Sequence, residues 1–474
     1  MSWDRPRAHA KAGAEMRGLR SGHQPLAAST FRPKGSKGVV SAAFPLLLVS
    51  LFLIFSCLFE ITPVIRETRP QLILAGIGLL ILFTSGKAMK VVMTPVGKSL
   101  LMFTAWFLVC IPFAVWRGGS VGIFLNVWYK ALLMFVLTAG LLSTVPQAKR
   151  LFHAIGYAVG LMATIALAER SYHFGRLELP NSRFGNSNEL AISLLVGLTF
   201  LGYTYIHGSQ RQRVLAAVLC APVLLALVKT GSRGGFLGVV MLCAYAYSQS
   251  SSGNRLKMMA AVPFILIALA ILVPSNLRSR YFTLFKSSGQ GPMTREEYKE
   301  YIAAAGSAEA RLKLLKDSVT VTVQHPLLGV GPGNFPVEQN NMAIARGEIG
   351  MWHQTHNSYT QVSSEMGIPG LILYVIFLYR TFKQLTSIVR NRQPGAFWVD
   401  LRALAGPLRA SLVVLATVAM FDSFAYIPDV PIMAGLAVAL GEIAQEQEAT
   451  DSVTTAVARP GSRMKVLVAN RRLA

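Results

Sequence analysis

The chain has 474 residues, 53% of them hydrophobic and only 14% charged, with a formal net charge of +24. Soluble chains have roughly a quarter of their residues charged, so an ordinary soluble fold is excluded. The apolar residues come in blocks of about 16 to 23, enough to cross a hydrocarbon core of roughly 30 Å, and such blocks satisfy their backbone groups in lipid only as helices.

Residues 1–39 are polar and basic and are expected to form a cytoplasmic tail; the first apolar block starts too late and runs too long for a cleaved signal. Spans are predicted at 40–60, 71–86, 98–116, 121–143, 151–169, 190–207, 213–230, 234–249, 257–274, 361–382, 403–421 and 426–445. This makes an all-α polytopic membrane protein of about 12 transmembrane helices with one large loop. The expected organisation is a tail (1–39), spans one to nine (40–274), a loop (275–360), spans ten to twelve (361–446) and a second tail (447–474). Cys57, Cys110, Cys220 and Cys243 fall inside apolar blocks without metal or disulfide spacing, as packing residues do.

Orientation follows from the excess of Lys and Arg in cytoplasmic loops. The first tail carries Arg5, Arg7, Lys11, Arg17, Arg20, Arg32, Lys34 and Lys37. Every second loop after it is basic, with Lys87 and Lys90, Lys149 and Arg150, Arg211 and Arg213, Arg255 and Lys257, then Arg380, Lys383, Arg390, Arg392 and Arg402. Both termini are therefore expected on the cytoplasmic side of the membrane. The surplus charge is a topology signal, so no nucleic-acid partner is expected. The stretch 275–360 then faces the exterior, the periplasm of a two-membrane cell. At about 85 residues it is longer than an ordinary connection, as functional loops are. Its segment 294–320 has charge pairs at helical spacing and is predicted to be helical.

Three exterior positions could carry chemistry. Arg233 lies in TGSRGGFLG at the mouth of two spans, where an arginine needs water, an anion or a partner. Gly231, Gly234 and Gly235 would leave room for a ligand to approach the backbone; the bland alternative is an arginine that snorkels to the interface. Arg311, in SAEARLKLLKDS, is by itself one charge on a solvated helical face. His356, in HQTHNSYTQVSSEMGIPG, could cap a helix with its neighbours or act as a general base. His353 stands three residues from it, but no third ligand at credible spacing suggests a metal. GVGPGNF resembles a nucleotide loop only superficially and is expected to be a tight turn lining the site, with Gly329, Gly331 and Gly333. No Asp-x-Asp pair and no phosphate-binding loop occurs, so an exterior enzyme would draw its energy from an activated substrate.

Taken together, these motifs resemble the O-antigen ligase and Wzy-type polymerase family. His356-Asn357, nine residues, then Gly367-Ile368-Pro369-Gly370 is similar to that family's His-[Asn/Ser/Gln]-nine-Gly-x-x-Gly signature. Arg233 with Leu237 looks like its Arg-x-x-x-Leu element, and HPLLGVGPGNF (325–335) like the turn in its large exterior loop. RFGNSNELA (183–191) resembles a looser Asn-Pro-Asn element with Ser187 in the proline's place, bringing in Arg183, Asn186 and Asn188. Arg311 stands where the family keeps a second loop arginine, without the aromatic residue that often follows it.

The resemblance implies a metal-independent, inverting glycosyltransferase of the membrane-embedded GT-C class, without cofactor. Its donor would be an undecaprenyl-diphosphate-linked glycan and its acceptor a glycan or lipid A–core. Arg233 and Arg311 would stabilise the leaving diphosphate and His356 would take the acceptor's proton, with Asn357, Arg183, Asn186, Asn188, Gly331 and Gly333 binding substrate. A ligase, a polymerase and a protein O-oligosaccharyltransferase fit equally. Outside the family the rivals are a transporter or lipid-linked glycan flippase, which should show internal repeats and midplane charges, and a membrane scaffold without chemistry.

Overall fold

The computed structural model describes residues 35–62, 67–182, 186–260, 295–350 and 352–458. In chain order the principal helices are α1 (Gly38–Ser56), α2 (Pro70–Thr84), α3 (Pro95–Phe113), α4 (Arg117–Leu141), α5 (Val145–Glu169), α6 (Ser187–His207), α7 (Gln210–Lys229) and α8 (Arg233–Gln249). They continue with α9 (Arg295–Gln324), α10 (Phe335–Ala345), α11 (Ser358–Arg390), α12 (Ala396–Val418) and α13 (Asp429–Ala458). Strands β1 (Tyr172–His173) and β2 (Arg176–Leu177) form one short antiparallel hairpin. The protein is an all-α polytopic membrane protein. Eight helices among the described residues, namely α1, α3–α7, α11 and α12, are long and apolar enough to cross a membrane, and α2 is a shorter apolar one.

Eleven of the predicted spans fall on these helices; the other, 257–274, lies outside the described residues beyond Ala260. Hydropathy locates the helices but misses their ends, because capping sets an end and apolar length does not. Helical structure already begins at Gly35, inside the predicted 1–39 tail. Helix α11 starts three residues before the predicted 361–382 and continues to Arg390. Thr94, Thr144, Asn186, Ser232 and Asn357 each accept a backbone N–H of the first turn that follows, and Ser209 with Gln212 forms a reciprocal cap on α7.

The centre of the bundle is aromatic. Phe103, Phe107, Trp128 and Tyr374 are all buried to within 1% exposure, with Tyr426 beside them. Trp128 lies parallel to Phe107 at 6.0 Å, and Tyr426 meets Phe107 edge-on at 5.4 Å. On α2, by contrast, Leu72, Ile73, Ile77, Leu80 and Phe83 all point outward, which suits a lipid-facing surface.

The predicted exterior loop carries α9 and α10, and it docks on α11 through a break in that helix. Gly367 is non-helical (φ 70°, ψ −177°) and Pro369 has no N–H, so the carbonyls of Ser364 and Glu365 lose their normal donors. The turn 325–331 supplies new ones: Val330 N–H donates to Ser364 O and Gly331 N–H to Glu365 O, each at 2.9 Å. In return the displaced Ile368 N–H donates to Pro326 O at 2.8 Å, and Trp106 Nε1 donates to Met366 O at 2.9 Å. A Cβ at residue 367 would collide with the Leu327 carbonyl oxygen. Gly367→Ala should therefore destabilise the protein by about 2–4 kcal/mol, through both the positive φ and the collision. Thermal unfolding in detergent checks this against Gly202→Ala, a helical position with open space around its Cβ, where a gain of up to roughly 1 kcal/mol is expected.

Candidate functional site

Helix α11 begins beside the turn that follows α12. Asn357 caps it, its Oδ1 accepting from Tyr359 N–H at 2.9 Å and Thr360 N–H at 3.1 Å. The next residue is stitched to the neighbouring turn: Ser358 N–H donates to Ala419 O and its hydroxyl to Asp422 O, both at 2.7 Å, while Phe424 N–H donates back to Ser358 Oγ at 3.0 Å. Thr355 and Ser423 share a hydroxyl–hydroxyl hydrogen bond of 2.9 Å. His356 sits between these anchors in the left-handed region (φ 51°), where a non-glycine residue is uncommon.

Its Nδ1 lies 3.6 Å from Asp422 Oδ1, within ion-pair reach and just beyond hydrogen-bond length. His356 Nδ1 and Asp422 Oδ2 are both buried and make no hydrogen bond in this state. Asp422 Oδ1 accepts from Ser423 N–H at 2.9 Å, and the residue is 6% exposed. The same carboxylate acts electrostatically on Arg311 of α9. Burial lowers the Arg311 guanidinium from its ordinary value, and the negative charge of Asp422 opposes that shift. Since a guanidinium keeps its proton in proteins, Arg311 is a partly desolvated cation.

Arg233 is half-buried at the first position of α8. A Cβ on its neighbour Gly234 would stand 3.2 Å from Phe421 Cβ, and one on Gly235 would stand 2.9 Å from Ala191 Cβ. These glycines thus admit close packing of α8 against the α12–α13 turn and α6, in place of the ligand room expected from sequence. The start of the Arg233 helix therefore packs against the turn that carries Asp422. Helix α9 is held by Lys313 with Glu348 (2.6 Å), by the two-point pair of Arg346 with Asp317 (3.1 and 3.3 Å), and by an apolar cluster of Leu314, Val321, Val330 and Phe335.

The other expected binding residues have structural employment. Asn186 Oδ1 caps α6, accepting from Asn188 N–H at 2.9 Å and Glu189 N–H at 3.0 Å. Asn188 Oδ1 accepts from Arg176 Nη2 at 2.7 Å and from Ser232 Oγ at 2.9 Å. Gly331 and Gly333 both have positive φ, and a Cβ there would collide with Ala114 and Ile123 respectively, so they belong to a packed turn. Arg183 lies outside the described residues. Two carboxylates were missed from sequence, Asp422 and Glu365. Glu365 is fully buried and accepts from Gly333 N–H (2.8 Å), Phe335 N–H (3.4 Å) and the Tyr426 hydroxyl (2.7 Å). The available signal was a lone acid in apolar surroundings, which is costly unless it is partnered or functional. Among the described residues no three His, Cys, Asp or Glu side chains are grouped to hold a metal ion.

A family model described as O-antigen ligase matches residues 215–375, which include Arg233, Arg311, the docked turn, His356 and the α11 break. Over this segment the chain is similar to the O-antigen ligase family. A candidate polysaccharide ligase of Rickettsia felis is 25% identical over 303 residues, covering 61% of this chain and 69% of that one. Its counterpart in Rickettsia conorii is 22% identical over 308 residues (61% and 67%), and the one in Rickettsia prowazekii 24% over 305 (61% and 69%). The match supports a glycan-transferring membrane enzyme of O-antigen ligase type. Asp422 lies outside the matched segment, and packing alone brings it to the family's motif residues. Asn186→Ala should behave as the loss of a helix cap, destabilising by about 1 kcal/mol and leaving transfer within threefold of wild type. Thermal unfolding and transfer rates measured on one preparation separate this from a substrate contact, which would cost rate at unchanged stability.

Proposed function

We propose that the protein transfers an oligo- or polysaccharide from an undecaprenyl-diphosphate carrier to a sugar hydroxyl at the exterior face of the bacterial inner membrane. The acceptor is a lipid A–core glycan, as in an O-antigen ligase. The observation that carries this reading is the convergence of His356, Arg311 and the Arg233 helix start on the single turn bearing Asp422. The basic loops support cytoplasmic termini and an exterior segment 275–360 as the catalytic loop.

The chemistry follows from that arrangement. With Nδ1 turned toward Asp422, His356 presents Nε2 as the atom that takes the acceptor hydroxyl's proton. The carboxylate orients the ring and stabilises the imidazolium as it forms. The acceptor oxygen forms its bond to C1 of the donor sugar while the bond from C1 to the diphosphate oxygen breaks on the opposite face, which inverts the anomeric centre. Negative charge collects on the leaving diphosphate, and guanidiniums at Arg311 and Arg233 stabilise it by paired, charge-assisted hydrogen bonds. Those cations do the work a divalent ion does in many glycosyltransferases, so the reaction is proposed to be metal-independent and of the GT-C class.

The test is transfer by purified protein from undecaprenyl-diphosphate-linked donor, without ATP and with EDTA, offering lipid A–core and lipid-linked repeat units as separate acceptors. His356→Ala should lower the rate by about 10² to 10⁴, with Arg233→Ala and Arg311→Ala in the range of about 10² to 10³. Asp422→Asn should cost roughly tenfold to a hundredfold, since it removes the charge that supports the imidazolium. Full activity in His356→Ala would sink the base assignment, and transfer only to lipid-linked repeat units would make the enzyme a polymerase.

A further inference from the structure

Among the described residues, two largely exposed aromatic side chains sit on a backbone in the left-handed region: Phe174 (φ 49°, 83% exposed) and Trp352 (φ 55°, 59% exposed). A bulky residue is disfavoured there and persists only where its surroundings hold it, a pattern that collects at ligand sites. Burial explains neither side chain.

Both are held from their flanks. Phe174 and Gly175 (φ 70°) form the tip of the β1–β2 hairpin, a turn with two positive φ values that ordinarily takes Asn-Gly. Arg176 pins that hairpin, donating from Nε to Thr230 O at 2.8 Å and from Nη2 to Asn188 Oδ1 at 2.7 Å. Asn188 also receives the hydroxyl of Ser232, the cap of the Arg233 helix. Trp352 lies between Glu348, paired with Lys313, and Thr355, bonded to Ser423, four residues before His356. Each exposed ring therefore rides on a segment tied to one proposed catalytic residue. The neighbours are polar: His173 is 68% exposed beside Phe174, and His353 and Glu348 are exposed on the Trp352 segment. Phe174 lies five residues past the end of α5 and Trp352 six before the start of α11, and aromatic membrane anchors also gather at span ends, so the test includes a membrane arm.

We propose that Trp352 and Phe174 are sugar-stacking positions at the rim of the site. A pyranose offers one face of C–H groups, which suits the electron-rich face of an aromatic ring. Trp352, beside His356, takes a ring of the acceptor glycan; Phe174, beside the start of the Arg233 helix, takes a ring of the donor glycan. This rests on the glycosyltransferase reading above and extends it to where the sugars lie.

The test measures binding without transfer, on the full chain in lipid nanodiscs. The acceptor probe is core oligosaccharide freed of lipid A by mild acid, and the donor probe is a soluble repeat-unit oligosaccharide lacking lipid and diphosphate. The first should quench part of the tryptophan emission saturably, and that part should vanish in Trp352→Phe. By calorimetry Trp352→Ala should bind it about tenfold more weakly and Trp352→Phe within threefold of wild type. Phe174→Trp should add an emission quenched by the second probe, and Phe174→Ala should weaken that probe about fivefold. Because both side chains are exposed, melting temperatures should stay within a few degrees of wild type. Unchanged affinities in the alanine variants would overturn the proposal. So would quenching of Trp352 or of the tryptophan at 174 by lipids brominated on their acyl chains, which would make the rim a membrane anchor. Glycan binding that follows these variants in a protein inactive in transfer would instead count against the proposed reaction alone.

Discussion

Helix α11 is broken at Gly367 and Pro369, and the hydrogen bonds it gives up there are remade by the turn 325–331. An unpaired carbonyl in a buried helix is costly, so the break and the turn are stable only together. The turn ends α9 and leads into α10, so this exchange sets where α9 lies and therefore where Arg311 points. The other end of α11 carries Asn357 and holds His356. One helix thus supports the base at its start and docks the loop arginine about eleven residues on, roughly three turns away.

The second constraint is the buried carboxylate of Asp422. It stands 3.6 Å from the His356 ring and acts on the charge of Arg311, and the turn that carries it packs against the glycine-lined start of α8. A lone buried carboxylate would be unfavourable; cations around it offset its desolvation, and it offsets theirs. Polar residues nearby divide their labour. Asn186, Asn188, Asn357 and Glu365 spend their oxygens on backbone and side-chain donors that hold the walls. His356, Arg311 and Arg233 are the groups proposed to act on substrate.

Much of the helical layout was legible because a span announces itself by apolar length, and eleven predicted spans fall on helices. The ends were less legible, since α12 begins at Ala396, before the predicted 403–421, through an apolar stretch interrupted by Asp400 and Arg402. The motif residues His356, Arg311 and Arg233 were legible as a set through their order and spacing. Their roles relative to one another were not, because Arg311 and His356 belong to separate helices joined by the docked turn. The glycines misled in one respect. Gly234 and Gly235 suggested space for a ligand, yet their missing Cβ atoms admit Phe421 and Ala191; Gly331 and Gly333, expected in a tight turn, are packed against Ala114 and Ile123. A glycine in a sequence marks a close approach without saying what approaches.

By itself the sequence determined the solvent, the helices and the kinds of side chain available for chemistry, because hydrophobic length, helix caps and residue type are local properties. Only the tertiary structure decided which polar groups are consumed in holding the fold and which carboxylate faces the histidine. Those facts depend on contacts between segments far apart in the chain: Asp422 meets His356 across 66 residues, and Glu365 meets Gly333 across 32. A carboxylate in an apolar run is the same letter whether it braces a turn, as Glu365 does, or orients a base, as proposed for Asp422. What separates the two is the set of donors that packing brings within reach of its oxygens.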